Sequence, residues 1–207
     1  MRPISFKWHR FPPEVIRHAV WLYFRFTLSI RDVEELQAQT GRGGQPRSVR
    51  CWVNKFEPLM AANLRKRRGP PTGRWHLDEM VVKIGGKRMF LWRAVDDEGE
   101  VLDMRVQQRR NKGAALRLLR KLLGNQDVRP EVTVTDKLAS YRAAARDLGL
   151  TDRHQPGGMR ENNWAENSHL PIRRRERKQQ KFKSRASAQN FPATYAAVCK
   201  VFNLHPT

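Results

Sequence analysis

Cysteine is scarce in this chain: Cys51 and Cys199 are the whole complement. They stand far apart and form no ligand spacing with any of the six histidines. A disulfide framework is thereby excluded, and a reducing compartment is the expectation. Long hydrophobic runs are missing too. Nothing approaches the ~20 apolar residues of a membrane-spanning helix, and Met1-Arg2-Pro3-Ile4 offers no apolar signal core. We therefore expect a cytoplasmic protein with no membrane partner. Negative charge is in short supply, with 20 Asp and Glu against 41 Lys and Arg and a formal net charge of +21. A surplus of that size calls for a polyanion, because neutralising phosphates releases counterions. An anionic membrane surface is the rival partner, but the basic residues recur along the whole chain rather than on one amphipathic helix. Internal repeats and long low-complexity segments are also absent. The hydrophobic share of 39 % is enough for a packed core and too high for a disordered chain.

What is present falls into three zones. The first zone, residues 1–60, reads as three short helices between about 11 and 58. The first starts at Pro12-Pro13, good first-turn residues, and carries Val15, Ile16, Ala19, Val20, Tyr23 and Phe26 at helical spacing. The second opens at Ser29, with Asp32 placed to complete a capping box. The third shows Val49, Trp52, Val53 and Phe56 on one side and Arg47, Arg50, Asn54 and Lys55 on the other. The turn between them, Thr40 to Pro46, is rich in glycine. Residues 61–74 hold Arg65, Lys66, Arg67 and Arg68 ahead of Gly69-Pro70-Pro71, with no acidic residue, and read as a basic linker.

From Trp75 the period changes. His76–Ile84 reads as a strand, Gly85-Gly86 as a tight turn, Arg88–Asp96 as a second strand, and Val101–Val106 as a third. A helix over 112–123, a short buried strand at Val132–Thr135, a helix over 138–148 and a basic helical region from Asn163 follow. Pro171 and Pro192 are expected to limit that last region. A meander of three strands feeding a βαβ unit is the ribonuclease H-like order, so residues 75–207 are expected to be an α/β domain of that class.

Three carboxylates stand where this order brings elements together. Asp78 interrupts an apolar strand. Asp136, followed by Lys137, ends a buried strand, where α/β sheets place ligands. Glu166 sits near the start of a helix, with 29 residues between it and Asp136, and Glu161 is its obvious substitute. Singly, each is as readily a solvent-facing strand residue, a turn former or an exposed helix residue. Together they could hold magnesium, which takes a few carboxylate oxygens and keeps its waters.

Trp75-His76-Leu77-Asp78-Glu79, Leu91-Trp92-Arg93-Ala94-Val95-Asp96, Val134-Thr135-Asp136-Lys137 and Asn162-Asn163-Trp164-Ala165-Glu166-Asn167, in that order, resemble the catalytic domain of bacterial DDE transposases of insertion-sequence family six type. Arg31-Asp32-Val33-Glu34-Glu35 and Arg50-Cys51-Trp52-Val53 resemble that family's helix-turn-helix region. The resemblance implies a retroviral integrase-like fold and a catalytic, metal-holding triad of Asp78, Asp136 and Glu166. It further implies Mg2+ dependence, with Mn2+ able to substitute, and replicative transposition acting on terminal inverted repeats and target double-stranded DNA. A homodimer or higher oligomer on DNA, associated with the nucleoid, is the matching expectation. Arg173, seven residues beyond Glu166, is the basic residue that such enzymes bring to DNA. It heads a run with Arg174 and Arg175 that holds eight basic residues between 173 and 185. Two other readings were weighed. A degenerate, non-catalytic copy that occupies the element ends would have no use for three carboxylates in a basic chain. A ribosomal-type RNA binder would not carry an amphipathic three-helix unit.

Overall fold

The computed structural model describes the chain except residues 1–3, 42–45, 67–68, 127, 137, 158–162, 179–181, 183, 189–190, 192–194 and 196–207. Side chains at 46, 47, 61, 64–66, 163, 164, 166–168, 171 and 178 also lie outside the described set, although their backbone is helical. Among the residues singled out above, Arg67, Arg68, Lys137, Glu161 and Pro192 lie outside the described residues, and Arg47, Arg65, Lys66 and Glu166 are placed by backbone alone.

The chain forms two compact units. The first comprises Met1–Arg68, Arg174–Gln180 and Asn190–Thr207. Its helices are α1 (Pro13–Arg25), α2 (Ile30–Gln39) and α3 (Pro46–Lys66). Pro13 supplies the preset φ of a first turn to α1. The Ser29–Asp32 capping box of α2 is complete in both directions. Ile16, Val20, Phe24, Val33, Val49, Trp52 and Phe56 are buried as its core. The buried Gln37 amide donates to the Val15 carbonyl at 3.1 Å, tying α2 to α1.

Helix α3 differs from expectation by running on to Lys66, across the first part of the stretch read as linker. Leu64, Arg65 and Lys66 are good helix formers, and Pro58 inside the helix does not stop it; the breakers begin only at Gly69. A second difference lies at the other end of the chain, where the described residues of 174–180 and 190–207 group with the three helices rather than with the residues from 75 onward. Within that unit the Arg175 guanidinium lies 3.9 Å over the Phe191 ring and 5.1 Å over that of Tyr23. Phe24 and Phe191 stack at 5.6 Å.

The second unit, Gly69–Arg173 with Lys181–Gln189, is built on a five-stranded sheet. The strands are β1 (Arg74–Ile84), β2 (Lys87–Asp96), β3 (Val101–Gln107), β4 (Val132–Thr135) and β5 (His154–Pro156), in spatial order β3-β2-β1-β4-β5. The first three pair antiparallel, while β4 joins β1 and β5 joins β4 in parallel. This is the ribonuclease H-like arrangement. Gly85 and Gly86, both at positive φ, make the two-residue turn that only glycine adopts without strain. Helices α4 (Lys112–Asn125) and α5 (Ala139–Asp147) bury Ala114, Leu118, Leu122, Tyr141 and Ala144 against Trp75, Leu77, Trp92 and Ala94. Strand β5, three residues long, was missed in the sequence, since His154-Gln155-Pro156 has no apolar alternation.

Helix α6 (Asn163–Lys178) passes through Pro171 instead of stopping at it. Ala165, His169 and Ile172 of that helix are buried, and this tertiary packing outweighs the missing N–H. No helix among the described residues is long and apolar enough to cross a membrane.

Candidate active site

Strand periodicity divides β1 between two tasks. Side chains at odd positions, Trp75 and Leu77, enter the core under α4 and α5, so Glu79 stands on that same side. Asp78 points the other way. Leu77 pairs with Thr135 in the parallel ladder, which sets Asp136 beside the Asp78–Glu79 step. Asp78, Glu79 and Asp136 each offer a carboxylate oxygen, and these atoms all lie within 4.8 Å of one another. Three anions that close repel until cations intervene. Among the described residues, this is the only such grouping of potential metal ligands.

Each carboxylate has its own support. Asp136 accepts from the Leu138 backbone N–H at 3.1 Å through Oδ1 and from Arg110 Nη2 at 3.3 Å through Oδ2. Burial and the Asp78 carboxylate raise its pKa, with the Leu138 N–H and Arg110 acting against the rise. The Oδ2 atom of Asp78 meets His169 Nε2 at 3.0 Å. Burial lowers the His169 pKa, only partly offset by Asp78. The ring is therefore neutral near pH 7, and its single proton serves Asp78 best on Nε2. Arg110 Nε donates to Oε1 of Glu79, whose side chain is 1 % exposed. Burial first and Asp136 second push Glu79 up to about 7, with the Tyr141 hydroxyl and Arg110 pulling the other way. Tyr141, wholly buried beneath the three carboxylates, is raised well above its usual value by burial and then by Glu79.

The residues picked from sequence fare differently. Asp78 and Asp136 are brought together. Glu166 is carried on α6 three residues before His169, the distance that puts two residues on one helix face, and His169 is the residue that touches Asp78. On α3, Arg50, Asn54 and Lys55 are all exposed, and Lys55 Nζ lies 3.0 Å from His9 Nε2. Arg173 and Arg174 are exposed.

Arg175, grouped with them as a DNA contact, departs from that reading. The helical turn carries it inward onto the Tyr23 and Phe191 rings, and burial lowers its pKa. Sequence reasoning passed over Glu79, Arg110, Tyr141 and His169. A signal existed for two of them: Glu79 shares its strand parity with the apolar Trp75 and Leu77, and His169 follows Glu166 by three. Arg110 and Tyr141 acquire meaning only from the tertiary contact.

Residues 72–205 match the model of a family described as a DDE domain. The transposase for insertion sequence-like element IS431mec of Staphylococcus aureus is 32 % identical over 139 residues, covering 67 % of this chain and 62 % of the relative. The transposase for insertion sequence element IS257 in transposon Tn4003, also from Staphylococcus aureus, is 31 % identical over the same length and coverage. The chain thus matches 62 % of the length of these curated relatives. Among solved structures, the HTLV-2 integrase catalytic core domain in complex with magnesium aligns at 16 % identity and TM-score 0.38, over 48 % of this chain and 71 % of that one. The simian T-cell lymphotropic virus intasome aligns at 14 % identity and TM-score 0.47, over 91 % and 70 %.

Proposed function

The chain belongs to the DDE-domain transposases of insertion-sequence family six type, and from that premise we propose that it binds the terminal inverted repeats of an insertion sequence and cuts and joins DNA strands there. The observation that carries the reading is the meeting of Asp78 and Asp136 at the rim of a sheet in a chain of net charge +21. Carboxylates in a DNA-binding surface repel phosphate unless cations stand between them. The donor set, carboxylate oxygens within 4.8 Å, suits a hard divalent ion.

We assign Asp78, Asp136 and Glu166 as the residues that would hold Mg2+, with Mn2+ able to replace it. When bound, such ions supply Lewis acidity for in-line attack on a phosphodiester by water or a 3′-hydroxyl. The chain's own residues set the geometry. His169 takes one oxygen of Asp78 and leaves the other open. The Leu138 N–H fixes the Asp136 rotamer. Helix α3 would lie in the major groove, with Arg47, Arg50 and Asn54 toward base edges and Lys55 toward the backbone. The run Arg65 to Arg68 and the exposed Arg173 and Arg174, with Lys137, would add phosphate affinity. By their names, the relatives are transposases of insertion sequences, which supports element ends and target DNA as substrates. A homodimer or higher oligomer bridging two ends, and a replicative outcome, complete the proposal.

The test is incubation of the purified chain with labelled element ends and Mg2+. Cleaved ends and strand-joined products are expected. Binding of the ends with neither product in Mg2+ or Mn2+ would mean that the chain occupies DNA without cutting it.

A further inference from the structure

Two features of the acidic cluster do not fit a simple set of three ligands. Glu79 has one oxygen engaged by Arg110 and the other, Oε2, buried from solvent. With its side chain 1 % exposed, it cannot meet an ion that retains several waters. Asp78 and Asp136, at 16 % and 35 %, can. Arg110 itself is 45 % exposed. Its bond to the buried Glu79 carboxylate is short, at 2.5 Å, whereas its contact with Asp136 is long, at 3.3 Å. A cation on Asp136 would therefore loosen the weaker contact and leave the stronger one in place.

The segment carrying Arg110 is well fixed. It joins the end of β3 to the Asn111 cap of α4, where the Asn111 side chain accepts from the Ala114 N–H at 3.0 Å. The buried Gln107 amide donates to the Ala114 carbonyl at 2.8 Å, and Gln107 Oε1 takes Arg117 Nε at 2.7 Å. A guanidinium has five N–H groups in a planar fork. One serves Glu79 and one serves Asp136, which leaves three on a side chain that is 45 % exposed.

We propose that Glu79 is the anchor of Arg110 rather than a metal ligand, and that Arg110, held beside Asp136 with free N–H groups facing outward, binds a DNA phosphodiester at the site. The planar fork suits a phosphate's two oxygens, and the buried Glu79 aims it without taking part in ligation. This rests on the reading of the site as one that acts on DNA.

The experiment uses the full chain and a duplex carrying the terminal inverted repeat that flanks its coding sequence, in Ca2+, which supports binding without turnover. Single methylphosphonates, each removing one phosphate charge, are scanned along the duplex for the unaltered protein, Arg110→Gln, Arg110→Lys and Glu79→Gln. At one position the neutral linkage should weaken the unaltered protein about tenfold, the size of one charge-assisted bond, and Arg110→Gln less than about twofold. Arg110→Lys should keep part of the effect, as a charge without the fork.

Mn2+ binding to the DNA-free protein is measured beside it by electron paramagnetic resonance. Glu79→Gln should bind Mn2+ about as tightly as the unaltered protein while losing most of the phosphate coupling. Equal losses for unaltered and Arg110→Gln proteins at every linkage would overturn the phosphate assignment. Loss of Mn2+ binding in Glu79→Gln would make Glu79 a ligand after all. Should Arg110→Gln fail to fold, coupling undiminished in Arg110→Lys would refute the need for a fork. If the unaltered protein binds no Mn2+ and cuts no DNA, the proposed function fails, while the phosphate coupling still decides the role of Arg110.

Discussion

The two units keep their charge in opposite ways. In the three-helix unit, the charged residues of α3, Arg50 and Lys55, are exposed over a core of rings and aliphatic chains. In the sheet unit the groups that support the site are sunk: Glu79 and His169 are almost wholly buried, and each meets a named partner. The contrast suits the task proposed for each surface. Reading a groove needs long side chains free to reach base edges, and holding a reacting phosphate needs groups whose positions are settled before substrate arrives. Unpaired buried charge costs far more than exposed charge, so each sunken group has a support: Arg110 for Glu79, Asp78 for His169 and, in the three-helix unit, the Tyr23 and Phe191 rings for Arg175.

That contrast can be broken most sharply at the carboxylates. Asp78→Asn, Asp136→Asn or Glu166→Gln should each lower cleavage and joining by at least about a thousandfold, with double substitutions adding little because the groups act as one. Binding of element ends, measured by fluorescence anisotropy, should stay within about twofold. A parallel loss of binding would show that the sheet unit, not α3, holds the ends.

Next in size is the reading face. Arg50→Ala with Asn54→Ala should weaken specific end binding by roughly ten- to a hundredfold and random-duplex binding much less. Equal losses on both duplexes would reduce α3 to a backbone clamp.

The same pair of regions shows how far a sequence discloses its fold. Regular alternation and helical spacing made α1, α2, the β1–β2–β3 meander, α4 and α5 legible, because one buried face leaves a periodic trace. Asp78 and Asp136 were legible for the opposite reason, as carboxylates where that trace calls for apolar residues. The length of α3 was not, since a basic stretch reads as a linker unless its helix propensity is weighed. The fate of Arg175 was not, because a cation stacked on Phe191 looks in sequence like its exposed neighbours Arg173 and Arg174. Arg110 and Tyr141 were hidden for a further reason. Their partners lie 31 and 62 residues away in Glu79, and no local pattern records such a contact.

Smaller effects sharpen the contrast further. Ser29→Ala breaks the capping box of α2 and should cost about 1 kcal/mol in chemical denaturation, leaving catalysis on prebound DNA unchanged. The smallest effect concerns pH. Glu79 is raised from 4.5 to about 7, chiefly by burial, so in the metal-free protein the folded state keeps a proton that the unfolded chain gives up. The penalty from this group is absent below about 4.5, grows as pH climbs toward 7 and is complete above it. Glu79→Gln should flatten the corresponding fall in Tm across that window. A slope unchanged by the substitution would assign the titration to another group.

One consequence of β1 concerns how such a chain can change its length over time. Asp78 and Glu79 are neighbours in sequence yet face opposite sides of one strand, so adding or deleting a single residue between Gly73 and Asp78 would exchange the proposed ligand and the proposed anchor. The Gly73 end has little slack: a Cβ there would come within 2.7 Å of Glu131, and the Gly73 carbonyl accepts from the Glu131 N–H. At the far end, a Cβ on Gly86 meets nothing within 4 Å. Insertions and deletions among related chains should therefore gather at the Gly85-Gly86 tip, while the six residues from Gly73 to Asp78 are inherited as a block of fixed length.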